Sequence, residues 1–206
     1  MKKIVSLLIV TVMVILSLAS CSNNNYRAKI TEDEWNALGN IMNYTIKIAG
    51  KDTELIGNVY YWSDFSETVK ATQNAEYHIH KYQTEKEATE YYYFSENGET
   101  YRLLKSDDET WNAKAKDWEA ESLLEYATPS EVEFDDLTYK IFDKAYRYTA
   151  SEDGTTIEYT FYFKNGALVK FDFRESDSDF VWSGTAEVYD VGTTSVTLPE
   201  YIKPSK

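Results

Sequence analysis

The sequence has little of several residue types, with one cysteine, three prolines and eight glycines among its 206 residues. A single cysteine excludes an intramolecular disulfide, so the stability of the fold has to come from packing. Basic residues are also few, 21 against 35 acidic residues, and the formal charge is −14. Because a chain of this charge repels the phosphate backbone, nucleic acid is excluded as a partner.

The patterns that mark common enzymes are missing as well. The sequence contains no Gly-x-Ser-x-Gly and no glycine-rich phosphate loop, and only two histidines, His78 and His80, could serve as a catalytic base. Its 35 acidic residues form many conceivable pairs, but nothing singles out two of them for glycoside hydrolysis. We therefore predict a non-enzymatic protein without a cofactor.

What the sequence does contain is enough apolar surface for one globular domain. Hydrophobic residues make up 43% and charged residues 27%, which argues against a disordered or fibrous chain. The composition does not shift along the body of the chain, and no repeat divides it. One domain is therefore expected.

The N-terminus carries an export signal. Lys2 and Lys3 precede an apolar stretch over residues 4–18, and the small residues Ala19 and Ser20 then lead to Cys21. The stretch is somewhat short for a membrane-spanning helix, and no basic stop-transfer segment follows it. Residues 1–20 are therefore predicted to be a cleaved signal peptide. Removing them takes away two lysines and leaves a charge of 19 − 35 = −16.

The residues Leu18-Ala19-Ser20-Cys21 resemble the lipobox of bacterial lipoproteins. This resemblance implies that the Cys21 sulfur is alkylated with diacylglycerol and that Cys21 becomes the new N-terminus. The alternative is an ordinary cleaved signal followed by a free cysteine. With lipidation, acyl chains would hold the protein on the extracytoplasmic face of a bacterial membrane. Residues 21–30 are expected to form a flexible tether, and residues 31–206 the folded domain.

The pattern of the mature chain favours an antiparallel sheet. Thr31 and Glu34 match the capping box of a short helix. From Met42 onward, apolar residues alternate with polar ones, which is typical of a half-buried strand. Further strands are predicted over residues 55–62, 68–82, 88–95, 99–105, 139–149, 155–163, 167–175, 180–191 and 195–198. Asn97-Gly98, Asp153-Gly154 and Asn165-Gly166 are predicted hairpin turns.

Two further predictions concern single elements. Apolar residues at helical spacing, among them Trp111, Ala115 and Trp118, predict a helix over residues 110–126. In residues 167–175, Val169, Phe171 and Phe173 are expected to share one buried face of a strand.

Together these elements predict an α+β fold. The expected domain is a strongly curved, half-barrel-like antiparallel meander with a short N-terminal helix and one mid-chain helix that covers or plugs one side. The lipobox, the short helix with its Trp, the first strand at Asn43-Tyr44-Thr45, the long meander and the ending over residues 190–201 resemble small extracytoplasmic lipoproteins of the Lol-type carrier kind. That resemblance implies an open half-barrel whose apolar concave face holds lipid or acyl chains.

His78 and His80 are the candidate metal ligands. Their spacing on a strand places both imidazoles, with Tyr82, on one face. A zinc site needs at least one further ligand, and carboxylates are abundant, yet solvated or cross-strand-paired histidines are the favoured interpretation. Glu175, Asp177 and Asp179 do not have the order of an EF-hand loop, so an acidic hairpin loop is predicted. The acidic runs over residues 107–109 and 131–136 are interpreted as solvated charges near helix ends.

The aromatic content is the unusual feature, with 18 Tyr, nine Phe and five Trp making up 16% of the chain. Ordinary cross-strand packing explains much of it. The remainder favours a binding module for an apolar or amphipathic, lipid-like ligand. Two alternatives stay open: a scaffold that binds an envelope protein through an exposed sheet face or edge, and a hydrolase of envelope polymers. The sequence does not identify the ligand-binding residues.

Overall fold

The computed structural model describes residues 27–106, 108–129 and 132–203. In these residues the chain forms one curved, unclosed sheet of twelve strands, accompanied by short helices. The strands are β1 (Tyr44–Ile56), β2 (Val59–Thr72), β3 (Ala75–Tyr82), β4 (Thr89–Glu96), β5 (Glu99–Lys105), β6 (Trp111–Ala115), β7 (Thr138–Lys140), β8 (Ala145–Glu152), β9 (Thr155–Lys164), β10 (Ala167–Ser176), β11 (Phe180–Tyr189) and β12 (Tyr201–Ile202). The predicted α+β class is confirmed.

Two meanders meet at the centre of this sheet. The spatial order is β12-β6-β5-β4-β3-β2-β1-β11-β10-β9-β8-β7, so β1 and β11 pair in the middle and each meander runs outward from them. The neighbouring strands are antiparallel except at one edge, where β12 pairs with β6 in parallel. Because β1 and β10 are both antiparallel to β11, they run in the same direction.

The helices lie on one face of the sheet, which we call the inner face. Helix α1 (Glu32–Asn36) continues as a 3-10 helix (Ala37–Asn40), and α2 (Leu123–Ala127) follows β6. The predicted capping box is confirmed, because the Thr31 hydroxyl accepts from the Glu34 amide while the Glu34 carboxylate accepts from the Thr31 amide. Helix α1 thereby presents the fully buried Trp35 to the sheet.

The main core fills the space between these helices and the inner face. Alternation places Tyr44, Ile46 and Ile48 of β1 in this core, as predicted. The same alternation supplies Tyr146, Tyr159, Phe161, Phe171, Phe173 and Ala186 from the second meander. The three predicted hairpin turns are also confirmed, with Asn97, Asp153 and Asn165 at positive φ and each followed by a glycine at positive φ.

A second, smaller core lies on the opposite, outer face. Phe94 and Leu103 are buried there together with Ala75 and Ala113. The segment after β11 crosses this face and covers them with Val196, Leu198 and Tyr201. The strand predicted over residues 195–198 is therefore wrong: those residues are irregular, and the final short strand is β12 instead.

The helix predicted over residues 110–126 is also wrong for most of its length. Residues Trp111–Ala115 form β6, which pairs with β5 and buries Ala113 against Leu103. Alternate apolar residues at 111, 113 and 115 satisfy this pairing, whereas a helix would leave the edge of β5 open. A capping box at Ser122 and Glu125 starts the helix only at Leu123.

Three predicted strands contained turns that the sequence pattern did not reveal. Residues 57–58 separate β1 from β2, residues 73–74 separate β2 from β3, and residues 141–144 separate β7 from β8. The predicted position of Val169 is wrong as well. A β-bulge between Leu168 and Lys170 turns Val169 outward, and Leu168 is buried in its place beside Phe171 and Phe173.

Candidate functional site

The inner face does not present its aromatic side chains as a free surface. The indole of Trp35 contacts Phe161 and Phe163 edge-on, with ring centroids 5.2 and 6.2 Å apart, and its Nε1 donates to the Val132 carbonyl at 3.3 Å. Helices α1 and α2 therefore occupy the position in which a ligand would contact this part of the face. Most of the inner aromatic residues of the second meander are core.

A buried polar cluster lies on the inner face of the first meander, under the segment that joins β6 to α2. At its centre is His78 on β3, which was one of the two candidate metal ligands. Its Nδ1 lies 3.2 Å from Glu67 Oε1 on β2, and its Nε2 lies 3.3 Å from Glu76 Oε2. The ring stacks on Tyr91 at 4.7 Å, with planes 11° apart. Both imidazole nitrogens therefore have carboxylate partners.

The surroundings favour a charged imidazole. Burial is the largest single effect on the pKa of His78 and lowers it, but the hydrogen bonds and charges of Glu67 and Glu76 outweigh burial, so the pKa is raised above 6.5. Burial is also the main reason why the pKa of Tyr91 rises to about 12, with the Glu67 charge adding to it. The two carboxylates therefore stabilise the protonated form of the His78 imidazole relative to the neutral form.

Trp118, from the segment that joins β6 to α2, covers this cluster, and side chains of β4 and β5 border it. Trp118 donates its Nε1 to Glu76 at 3.2 Å and stacks on Tyr93, while the Arg102 guanidinium lies 4.5 Å from the centroid of the Tyr91 ring. Among the described residues, Glu76 Oε1 and Arg102 Nε are buried without a hydrogen-bond partner. Burial, followed by the charges of Glu76 and Glu125, raises the pKa of Glu121 in the same cover.

The structure places His78, His80 and Tyr82 on one face, as predicted, and gives the two histidines different surroundings. His80 stacks on Phe65 at 5.7 Å, and its Nδ1 is 3.8 Å from Glu67 Oε2. Across residues 27–106, 108–129 and 132–203, no group of three or more His, Cys, Asp or Glu side chains has an arrangement that could hold a metal ion. Cross-strand pairing accounts for the two histidines.

Carboxylates of the acidic runs accept hydrogen bonds from backbone amides in local turns. Asp177 Oδ1 accepts from the amides of Asp179 and Phe180 at 2.6 and 2.9 Å, which closes the loop between β10 and β11. The Asp108 carboxylate accepts from the Thr110 amide in the same way. Asp107 and Glu131, from the other two runs, lie outside the described residues. The contacts of Asp177 fit the predicted acidic hairpin loop. The interpretation of the run over residues 107–109 as charges near a helix end is wrong, because Asp108 and Glu109 lie between the strands β5 and β6.

The feature that sequence reasoning missed is an exposed aromatic surface where β1 joins β2. We call residues 55–62 the hairpin tip. Five of its large apolar side chains are more than half exposed: Ile56, Val59, Tyr60, Tyr61 and Trp62, the last at 63%. Alternation along the two strands places Ile56, Val59 and Tyr61 on one face of the tip, and Leu55, Tyr60 and Trp62 on the other.

The tip is exposed because β1 and β2 are longer than their neighbours. The pairing of β1 with β11 ends at Glu54 opposite Phe180, and the pairing of β2 with β3 begins only at Phe65 opposite Tyr82. One further backbone hydrogen bond follows on each side, from the Leu55 amide to the Asp179 carbonyl at 2.6 Å and from the Gln83 amide to the Asp64 carbonyl at 2.8 Å, and beyond them the two strands continue as a hairpin. A sequence signal was present in Tyr60-Tyr61-Trp62 next to Gly57-Asn58, because three consecutive aromatics cannot all face one side of a strand.

Charged residues flank the aromatic groups of the tip. Lys51 Nζ lies 4.9 Å from the centroid of the Trp62 ring and 3.7 Å from Asp64 Oδ1. The tip therefore has large apolar side chains at its end and charged side chains at its base. Such a surface matches a molecule with an apolar part and a polar part.

Clefts also open on the surface of the described residues. One, of about 1070 Å³, lies where the β4–β5 turn meets the end of β6 and β12, and its lining includes the charged residues Glu96, Glu99, Lys116 and Lys203. A smaller one, of about 320 Å³, lies beside Leu38, Ile41 and Leu168 and is mostly apolar. Both open to solvent, and the smaller one lies where the helical segments meet the start of β10, with Leu123 also in its lining.

The predicted lipidation residue, Cys21, lies outside the described residues, as do the signal peptide and most of the tether. At residue 27, the start of the described chain, Arg27 is fixed to the turn between β9 and β10. Its amide donates to Asn165 Oδ1 at 3.0 Å, and its carbonyl accepts from the Asn165 amide at 2.9 Å. In the described part of the chain, no helix has both the length and the apolar character needed to cross a membrane.

No family model and no curated protein sequence matches this chain. Among solved structures it is similar to a DUF1329 family protein from Desulfovibrio piger, at 10% identity over 85% of this chain and 96% of that one, with a TM-score of 0.32. It is also similar to a domain from Vibrio parahaemolyticus named for outer membrane lipoprotein sorting, at 10% identity over 82% and 92% of the two chains, with a TM-score of 0.31. At these values neither similarity bears on the ligand.

Proposed function

We propose that this protein is an extracytoplasmic lipoprotein, anchored to a bacterial membrane through Cys21, that acts as a non-enzymatic binding module. Its ligand is an apolar or amphipathic, lipid-like molecule, and the hairpin tip is the surface that takes it. The observation that carries this proposal is the exposure of five large apolar side chains on one short hairpin. Clusters of exposed large apolar side chains mark interaction sites in soluble proteins.

The chemistry of the tip favours an amphipathic ligand. Tyr60, Tyr61 and Trp62 each combine an apolar ring with a polar group, so they pack against acyl chains while their O–H and N–H groups meet a polar head. Lys51 lies over the Trp62 ring with Asp64 next to it, so the two offer both signs of charge to such a head. Covering the rings would contribute about 25 cal/mol to the favourable free energy of binding for each Å² of apolar surface removed from water.

The position of the tip agrees with an anchored protein that reaches outward. Arg27 is fixed beside Asn165 near the start of β10, and β1 runs parallel to β10 and ends at the tip. The 13 residues of β1 span about 40 Å at the usual rise of a strand. The chain thus enters the domain at one end of the central strands and presents the tip at the other.

One observation favours a second candidate, binding to an envelope protein. Residues 59–63 of β2 extend past the last backbone hydrogen bond on this side, from the Gln83 amide to the Asp64 carbonyl, so this stretch of β2 offers a strand edge. A partner could add a strand there, with side chains on the two faces of the tip giving specificity. In this alternative the aromatic groups contact protein and not lipid.

Native mass spectrometry with lipid extraction separates the two candidates. The mature protein, purified from a lipid-containing host, is compared with the double variant Tyr60→Ser/Trp62→Ser and with the control Tyr189→Ser, which also loses an exposed tyrosine but lies at the far end of β11. We expect a lipid species of fixed stoichiometry on the wild-type chain and on the control, and its loss from the double variant. A clean mass for all three, unchanged after challenge with envelope lipids, would overturn the lipid-like ligand and favour the protein partner.

The same preparation tests the anchor. Acylated Cys21 adds the mass of its diacylglycerol to the mature chain, and the variant Cys21→Ser removes it. We expect the wild-type protein to sediment with membranes and the variant to remain in solution. A wild-type chain whose Cys21 reacts with a maleimide would show a free thiol and contradict the anchor.

A further inference from the structure

We infer that the turn over residues 141–144, between β7 and β8, rests on the surface of the membrane that holds the Cys21 anchor. This inference rests on the anchor in the proposed function, but it concerns a different part of the molecule from the hairpin tip. It assigns a membrane-contact site and therefore an orientation of the domain.

The turn presents apolar side chains with no cover in the described structure. Ile141 is 73% exposed, and Phe142 is fully exposed at the apex of the turn. These two adjacent apolar side chains are not part of the hydrophobic core, which includes Tyr139 and Tyr146 of the flanking strands. A large aromatic side chain in this position fits the boundary between headgroups and acyl chains.

The turn lies at the end of the domain where the tether enters. β8 begins directly after the turn and pairs with β9, whose last residues lead into the turn at Asn165. Arg27 bonds to Asn165 through its backbone, Lys29 Nζ lies 4.9 Å from the centroid of the Tyr139 ring, and the Ile30 amide donates to the Tyr146 hydroxyl at 3.1 Å. The first described residues thus run along β7 and β8.

The length of the tether limits how far the membrane can be from this end. Five residues lie between Cys21 and Arg27, and the six Cα–Cα steps from one to the other span about 20 Å in a fully extended chain. Acyl chains on Cys21 therefore hold Arg27 within that distance of the headgroups. The end of the sheet that carries Phe142 is the end that the anchor draws to the bilayer.

The distribution of charge also favours contact between this end of the domain and the membrane. Basic side chains lie next to the turn: Lys140 ends β7, Lys164 ends β9, and Arg147 pairs with Asp143 at 2.9 Å. The Glu34 carboxylate, at the same end of the domain, is paired with Arg27. The acids Asp135 and Asp136 lie before β7, at the opposite end of this short strand. In a chain with a formal charge of −14, a locally basic end is attracted to anionic headgroups while the rest of the domain is repelled.

Depth-dependent fluorescence quenching tests this contact. The mature lipoprotein is reconstituted into vesicles of phosphatidylcholine and phosphatidylglycerol, with an environment-sensitive dye on Phe142→Cys or, as the control, on Glu152→Cys. Glu152 is exposed at the far end of the same strand, β8. The acylated Cys21 is a thioether and does not react with the dye, so the label reports one position.

We expect nitroxide groups on the lipids to quench the dye at position 142 at least threefold more strongly than the dye at position 152. Vesicle sedimentation is read in parallel on the unlabelled chain. Sedimentation together with equal quenching at the two positions would overturn the membrane contact and leave the anchor intact. A chain that fails to sediment would overturn the anchor itself, and the contact with it.

Discussion

Replacing His78 tests whether the buried cluster is built around a protonated imidazole. His78→Gln retains a donor of similar size but loses the charge, and hydrogen bonds to charged groups contribute about 1.5–3 kcal/mol each. Both nitrogens of His78 face carboxylates at 3.2 and 3.3 Å, and Gln can serve only one of them well. We therefore expect His78→Gln to lower the free energy of unfolding by about 1.5–3 kcal/mol at pH 5.5.

The pH dependence gives the sign of the effect. The pKa of His78 is raised in the folded state, so its contribution is fully present below the unfolded pKa of about 6.5. That contribution is lost as the pH rises through the folded pKa. The difference between wild type and His78→Gln should therefore shrink between pH 5.5 and a pH above the folded pKa, while the wild-type chain itself loses stability.

Urea unfolding followed by tryptophan fluorescence measures this, with His80→Gln as the matched control. His80 is more exposed, stacks on Phe65 and approaches Glu67 only to 3.8 Å, so its replacement should cost less than 1 kcal/mol at either pH. A His78→Gln penalty that stays constant with pH, or one no larger than that of His80→Gln, would refute the charged cluster.

Two further changes test the packing of the sheet and the start of α1. Gly184→Ala should lower the free energy of unfolding by about 1–3 kcal/mol, because the new Cβ would lie 2.7 Å from Phe173 Cζ and 2.8 Å from the Ala49 carbonyl oxygen. The control is Gly39→Ala, whose Cβ would meet only Leu124 at 3.8 Å, so its thermal unfolding should be close to that of the wild type. Equal melting temperatures for the two would contradict the close approach of β11 to β1 and β10. Thr31→Ala removes the N-cap and should lower the free energy of unfolding, measured with denaturant, by about 0.5–2 kcal/mol. The control Thr138→Ala, on the edge strand β7, should change it by no more than about 0.5 kcal/mol. An unchanged stability of Thr31→Ala would show that the cap does not stabilise α1.

Much of the sheet could be predicted from local pattern. The alternation from Met42 identified β1 and its buried side chains, and asparagine or aspartate followed by glycine located three turns, because those dipeptides tolerate positive φ. The prediction of a helix over residues 110–126 failed because a five-residue strand and a five-residue helix together mimic a longer helical pattern. The prediction that Val169 is buried failed because a bulge shifts the side chains by one position, which alternation alone does not reveal.

The site residues depended on information that no local pattern contains. The sequence placed His78 and His80 on one face, but their different roles arise from Glu67 and Glu76 and from the cover that Trp118 provides. The aromatic content was noted, yet its exposed part could not be located. Tyr60 and Trp62 are exposed only because β11 and β3 end earlier than β1 and β2, and that depends on the relative lengths of four strands.

The most direct test of the proposed function is hydrogen–deuterium exchange of the mature protein with and without envelope lipids. The account predicts slower exchange over residues 55–64 when lipid is bound, because the ligand covers the backbone of the hairpin tip, and unchanged exchange over residues 123–127 of α2. Slower exchange in α2 and α1 with an unprotected tip would place the ligand between the helices and the sheet. That result would contradict the account.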